Sequence, residues 1–222
     1  MRLLYHYPLS PFSRKVRLAL AEKRLPFELR TEKPWERRAE YLDLNPSGEV
    51  PTLIEDNGFA VPEAAVICEY LEEAYPDTGL LGETLAERVE VRRLVTWFDS
   101  KFALEVTDNL LGEKVLKRLA GRGGADAGAL RIGYTALGHH LEYLGWLAEN
   151  RKWLAGANLS LADLSAAAHL SCLDYVGDVE WKKVPAVREW YARVKSRPSF
   201  RPLLAERVPG FAPPAYYPDL DF

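Results

Sequence analysis

The chain has 222 residues, 48% of them apolar and 27% charged, with a net charge of −3. That balance excludes a disordered chain and fits one large or two modest globular domains that bury a core without disulfides or metal. The slight acidic excess argues against nucleic acid as a partner. Two cysteines outside any C-x-x-C pair, Cys68 and Cys172, fit a reducing compartment and buried apolar roles.

Residues 3–7 form a short apolar run ahead of Pro8 and predict a buried strand. No signal-peptide core precedes it, and no apolar run is long enough for a bilayer, so a cytoplasmic location without membrane insertion is expected. Phe12, Val16, Ala19 and Leu20 then recur at helical spacing, with Arg14, Lys15 and Arg17 outside that set and Ser10 and Ser13 where a cap belongs. A second strand at 27–30 closes a β-α-β unit, which implies parallel pairing. Residues 31–45 read as irregular to weakly helical, and a turn-rich loop leads to Val50-Pro51. Two short strands, 52–55 and 59–61, flank Asn57-Gly58, a dipeptide suited to a hairpin turn. After Pro62, the apolar face of Val66, Ile67, Tyr70, Leu71 and Ala74 marks a helix that Pro76 stops.

Beyond residue 84 the pattern is helical throughout. Val91, Leu94, Val95, Phe98 and Phe102 share a face, continued by Val106, Leu110, Leu111 and Val115. A glycine-rich breaker at 121–128 precedes a long helix marked by Leu130, Tyr134, Leu137, Leu141 and Leu144. Ser160 and Asp163 form a capping box for a helix that is apolar nearly all round, hence central. Pro185 opens the last long helix. Residues 208–222 carry four prolines and no apolar period, and read as an extended tail. The order is α/β followed by all-α: a first domain at 1–76, a linker at 77–84, a helical domain at 85–207 and a proline-rich, acidic-aromatic tail at 208–222.

Chemistry-bearing clusters are few. His139 and His140 are adjacent and so point different ways on a helix, which makes a poor metal pair; His169 lies in the apolar central helix and reads as a hydrogen-bonded core residue. No metal is expected. Ser10 is either a plain helix cap or a hydroxyl serving a site at the start of the first helix. Lys114, Lys117 and Arg118 make a small basic face, either a partner site or solvated surface. Trp35 sits among charges and suits either a core or a contact role. In the tail, Tyr217, Asp219, Asp221 and Phe222 alternate aromatic and acid, which suits a recognition segment; the alternative is that Tyr216 or Phe222 folds the tail back into a groove.

Over about residues 1–205, these landmarks resemble the glutathione-transferase family: Ser10-Pro11-Phe12-Ser13-Arg14-Lys15-Val16-Arg17, Asn45-Pro46 with Gly48 and Val50-Pro51, residues 63–71, and Ser160 with Asp163. The resemblance implies the glutathione-transferase fold, with a thioredoxin-like first domain, an all-helical second domain and a homodimer. It also implies a site in which Ser10, with Ser13 as substitute, donates to the thiolate of glutathione. Val50, ahead of a cis Pro51, would pair its backbone with the tripeptide, and Glu63 would open the carboxylate-binding helix. Two positions depart from that pattern: Ala64 stands where binding members carry Ser, and Glu49 where they carry Lys or Gln.

A narrower resemblance covers nearly the whole chain, through Trp35-Glu36-Arg37-Arg38, residues 91–102, 105–107, 109–114 and 167–175, and the terminal Pro213-Pro214-Ala215 and Tyr217 to Phe222 region. It points to a branch of the family that binds FtsZ polymer during bacterial division and needs no cofactor. Two functions therefore compete: an FtsZ-binding division protein, and a transferase that conjugates glutathione to small electrophiles as cosubstrate. Thiol-disulfide exchange is disfavoured, because no cysteine lies in the first 67 residues.

Overall fold

The computed structural model describes residues 1–220. Strands β1 (Arg2–His6), β2 (Phe27–Thr31), β3 (Thr52–Ile54) and β4 (Ala60–Pro62) form one sheet in the order β2-β1-β3-β4. β1 pairs in parallel with β2, placing Leu4 opposite Leu29, and antiparallel with β3, placing Leu4 opposite Leu53. The parallel pair requires a crossover, which helix α1 (Pro11–Glu22) supplies. Short α2 (Ala39–Leu42) and α3 (Ala64–Ala74) complete this part, and the Val50-Pro51 peptide ahead of β3 is cis.

Helix α4 (Leu85–Thr96) opens with a capping box formed by Thr84 and Glu87. From Trp97 to Leu116 the same helix continues with π winding, then returns to α in α5 (Lys117–Leu119). Buried Phe98, Phe102, Val106, Leu110 and Val115 recur about every fourth residue. Such a stripe drifts around a 3.6-residue α-helix; wider winding keeps it on one line. Helix α6 (Ala127–Asn150) packs against this π segment, and Gly133 permits the close approach: a Cβ there would lie 2.8 Å from Asn109 Cβ. All of α7 (Leu161–Tyr175) is buried, and α8 (Pro185–Lys195) and α9 (Arg201–Ala205) follow. Asp163 anchors the start of α7, accepting from the amides of Leu154 (2.9 Å) and Ser160 (3.0 Å) and from Trp190 Nε1 (2.9 Å). Among the described residues no helix is long and apolar enough to cross a membrane.

Packing decides two features that the sequence leaves open. Arg14, Lys15 and Arg17, outside the apolar set of α1, are nonetheless buried, because α7 packs against that helix. Each is compensated, as buried cations must be: Lys15 pairs with Asp99, Arg17 with Glu206 at 2.6 Å, and Arg14 donates to the Pro8 carbonyl (2.7 Å) and the Ser171 hydroxyl (2.8 Å). Of the two readings of the tail, the folded-back one is seen up to residue 220. Tyr175 donates to the Phe211 carbonyl and accepts from the Val208 amide, both at 2.8 Å, and Tyr217 is fully buried. Among the described residues, Tyr217 rather than Tyr216 plugs the groove, and Phe222 lies outside them.

Candidate functional site

The chain turns into α1 through Tyr7-Pro8-Leu9-Ser10. Ser10 is half-buried and caps the helix, its Oγ accepting from the Ser13 amide at 3.2 Å. Ser13 is fully buried and its Oγ accepts from the Tyr7 amide, so it has a structural role and does not face the site. A cleft of about 570 Å³ opens beside Ser10, between this turn and the π segment. Tyr7, Phe12, Trp35 and Val50 wall one side; Thr107, Asp108, Gly112 and Lys117 wall the other.

The loop before Val50 is held by its own side chains. Asn45 Nδ2 donates to the Glu49 carbonyl at 2.9 Å, Tyr41 donates to the same oxygen at 2.5 Å, and Ser47 Oγ accepts from the Glu49 amide at 3.1 Å. The Ser47 hydroxyl donates in turn to Glu63, at 2.9 Å. Glu63 precedes α3 with φ +69°, a conformation that costs a non-glycine residue about 1–3 kcal/mol and gathers at functional sites. Ala64, the first residue of α3, is buried and brings no hydroxyl to the helix start.

Electrostatically the cleft is mixed. Although Glu49 is exposed, adjoining protein desolvates its carboxyl and Glu63 repels it, so its pKa is raised; Arg37 and Arg122 act in the opposite sense. Both arginines line the cleft, so the repulsion that the Glu49 carboxylate exerts on a ligand carboxylate is partly offset. Burial, then Tyr175, pushes the Tyr7 hydroxyl up to about 12, which keeps it a hydrogen-bond donor at neutral pH. Tyr7 and Arg122 carry no site signal in the sequence: Tyr7 ends an apolar strand run and Arg122 lies in a glycine-rich loop, whereas Arg37 belongs to the Trp35-Glu36-Arg37-Arg38 run.

Of the expected partner residues, Trp35 packs edge-on against Tyr7 with ring centroids 5.0 Å apart, joining core to cleft wall. The basic face is not a free stripe. Lys114 is bonded to Asp178 and Tyr134, Lys117 pairs with Glu113 at 2.8 Å, and Arg118 lies 5.3 Å from the Phe211 ring centroid. Tyr217 cannot be an exposed anchor. Its hydroxyl accepts from Arg14 at 3.2 Å and its ring meets Tyr175 edge-on at 5.2 Å. Asp219 is exposed, while Asp221 and Phe222 lie outside the described residues. His169 accepts from or donates to Thr107 at 2.8 Å within the core, and His140 is bonded to Trp97 and Glu105. Among the described residues no group of His, Cys, Asp and Glu is placed to hold a metal.

Family models for the glutathione S-transferase N-terminal and C-terminal domains match residues 4–79 and 136–198. FtsZ-localized protein A of Caulobacter vibrioides is 52% identical over 100% of this chain and 98% of its own length. The solved structure of FzlA from C. crescentus superposes with a TM-score of 0.97 at 52% identity, covering 100% of this chain and 99% of that one. A structure described as a glutathione S-transferase from Rhodospirillum rubrum F11 superposes with a TM-score of 0.98 at 54% identity, covering 100% of both chains.

Proposed function

This chain belongs to the glutathione S-transferase family, and we propose that within it the protein is a cytoplasmic homodimer that binds FtsZ polymer and regulates division, without conjugating glutathione. One observation carries the reading: the 52% identity to an FtsZ-localized protein spans the whole chain, including the tail. The site is consistent with it. Without a hydroxyl at Ala64, a ligand carboxylate at the start of α3 loses a charge-assisted hydrogen bond, about 1.5–3 kcal/mol or roughly tenfold or more in affinity. Glu49 further disfavours a ligand carboxylate, against the counter-pull of Arg37 and Arg122.

The homodimer has a candidate surface. Phe59, Val66, Val89 and Leu85 are all more than half exposed. Phe59 lies 5.9 Å from the Tyr70 ring, one turn from Val66, and the Arg92–Glu69 pair at 2.8 Å joins α3 to α4, one turn from Val89. Exposed apolar side chains on both parts of the chain, linked through these contacts, are the kind of surface that a second copy covers.

The test is pelleting of the purified protein with GTP-assembled FtsZ from the same source. Sedimentation only with polymer, at micromolar protein, supports the reading. A folded protein that stays in the supernatant throughout removes it.

A transferase remains the second reading for a specific reason. Ser10 Oγ receives the Ser13 amide as an acceptor, so its own proton stays available to a thiolate in the cleft. Under that reading, Ser10→Ala collapses a measurable glutathione-conjugation rate. An absent or unchanged rate rules out this role for Ser10.

A further inference from the structure

On the surface between α6 and α8, none of whose lining residues lines the cleft, Trp146 is 54% exposed. A tryptophan so open is unusual, and this one is held in place. Its ring stacks on Tyr143 with centroids 6.5 Å apart and 8° between planes, and the Arg151 guanidinium lies 5.9 Å from its centroid. Tyr143 is fixed in turn by Trp97 at 4.8 Å and by a hydrogen bond from Arg93 at 2.9 Å. A ring ordered in advance loses little rotamer freedom when something packs on it.

Beside the indole runs a groove of about 280 Å³. Leu141, Pro185 and Val187 give it apolar walls, and Gly145 leaves it open. A Cβ at Gly145 would already sit 3.8 Å from Val187 Cγ2, so a longer side chain there would fill the groove. Glu142 and Glu149 lie four residues before and three after Trp146, and so on its face of the helix. Both line the groove and both are exposed. Neither has an ion-pair or hydrogen-bond partner among the described residues, whereas nearby Glu90 is bound by Arg93 and Arg151. The one cation lining the groove, Lys183, is paired with Glu180 at 2.7 Å.

An apolar slot with a preordered indole and two unpaired carboxylates matches the two halves of a long basic side chain. The aliphatic stem lies on the apolar wall and ring, and the charged head reaches the carboxylates. The same carboxylates repel phosphate, which disfavours nucleic acid and anionic lipid. We propose that this groove docks an extended, arginine- or lysine-bearing segment of a partner protein. The assignment is independent of the FtsZ reading, since it rests on the geometry and charge of this groove and not on the chain's similarity to any relative.

The probe is an acetylated octapeptide of alternating alanine and arginine, titrated into the full-length protein, with the glutamate counterpart and inorganic phosphate as controls. The indole N–H of Trp146, assigned with Trp146→Phe, is followed by NMR, and affinity by calorimetry. The expected result is a saturable shift with the arginine peptide alone. It should weaken about tenfold in the Glu142→Gln/Glu149→Gln double variant, as two exposed ion pairs warrant. Gly145→Leu, on a helix face with room for it, should abolish the shift while circular dichroism stays native. An equal response to the glutamate peptide or to phosphate overturns the proposal. So does arginine-peptide binding that neither the double variant nor Gly145→Leu weakens.

Discussion

Removing Tyr217 tests whether the tail is part of the folded core. Its side chain is fully buried, its hydroxyl accepts from Arg14 at 3.2 Å and reaches the Leu203 carbonyl at 3.4 Å, and its ring meets Tyr175 at 5.2 Å. Arg14 is itself fully buried. Tyr217→Phe deletes one hydrogen bond to a buried cation, a loss in the range of about 1.5–3 kcal/mol. Arg14 keeps the Pro8 carbonyl and Ser171 as acceptors, so the lower end, about 1.5–2 kcal/mol, is expected. Tyr217→Ala also empties an aromatic-sized space, for a total of about 3–5 kcal/mol or more. For a chain of this length Tyr217→Phe corresponds to a fall in Tm of about 3–8 °C. Urea unfolding at pH 7, followed by far-UV circular dichroism, measures both variants. A change below about 0.5 kcal/mol in Tyr217→Ala, typical of exposed positions, would refute the docked tail and restore Tyr217 as a free anchor.

Asp163→Ala strands the Leu154 and Ser160 amides and the Trp190 indole N–H inside the protein. At about 1–3 kcal/mol for each unsatisfied donor, soluble yield should collapse, and Asp163→Asn, which keeps an acceptor, should recover part of it. Burial, then Arg17 and Arg14, pushes His6 down to about 3. The unfolded imidazole takes a proton near pH 6.5 while the folded one refuses it until about 3, so stability falls as pH drops through that window. The contribution is about 3 kcal/mol between pH 7 and pH 4, and His6→Asn should flatten the urea midpoint over that range; an unchanged slope would discount it. Phe59→Glu with Val66→Glu places two charges on this exposed apolar surface and should give a monomer by light scattering. A dimer of unchanged mass would move the interface elsewhere.

Much of the fold was legible because local rules and global packing agree. Strand β1, the Ser10 cap and the helix face running through Phe98, Phe102 and Val106 follow from period, turn chemistry and capping alone. The capping box at Ser160 and the all-round apolarity of α7 announced a central helix, and every residue of α7 is buried. The site was legible in part. Ser10, Trp35, Glu49 and Val50 do line one cleft, while Asp108 and Gly112 on the opposite wall, from the π segment, carried no sequence signal. A helix pattern shows which side is apolar, but not what its polar side will meet.

The sequence by itself determined the order of elements, the family and the two departures at Glu49 and Ala64, because these depend on neighbours a few residues apart. Tertiary structure decided the rest. Arg14 and Arg17 look solvent-bound in a window of ten residues, and they become core because α7 packs on their helix and Glu206, 192 and 189 positions away, and Tyr217 close over them. Lys114, Lys117 and Arg118 look like a basic patch, and Asp178, Glu113 and Phe211 engage them. Charge in a sequence is local, whereas its compensation is set by which distant groups the fold brings within a few ångströms, and that distance is what separates a binding surface from a sealed interior.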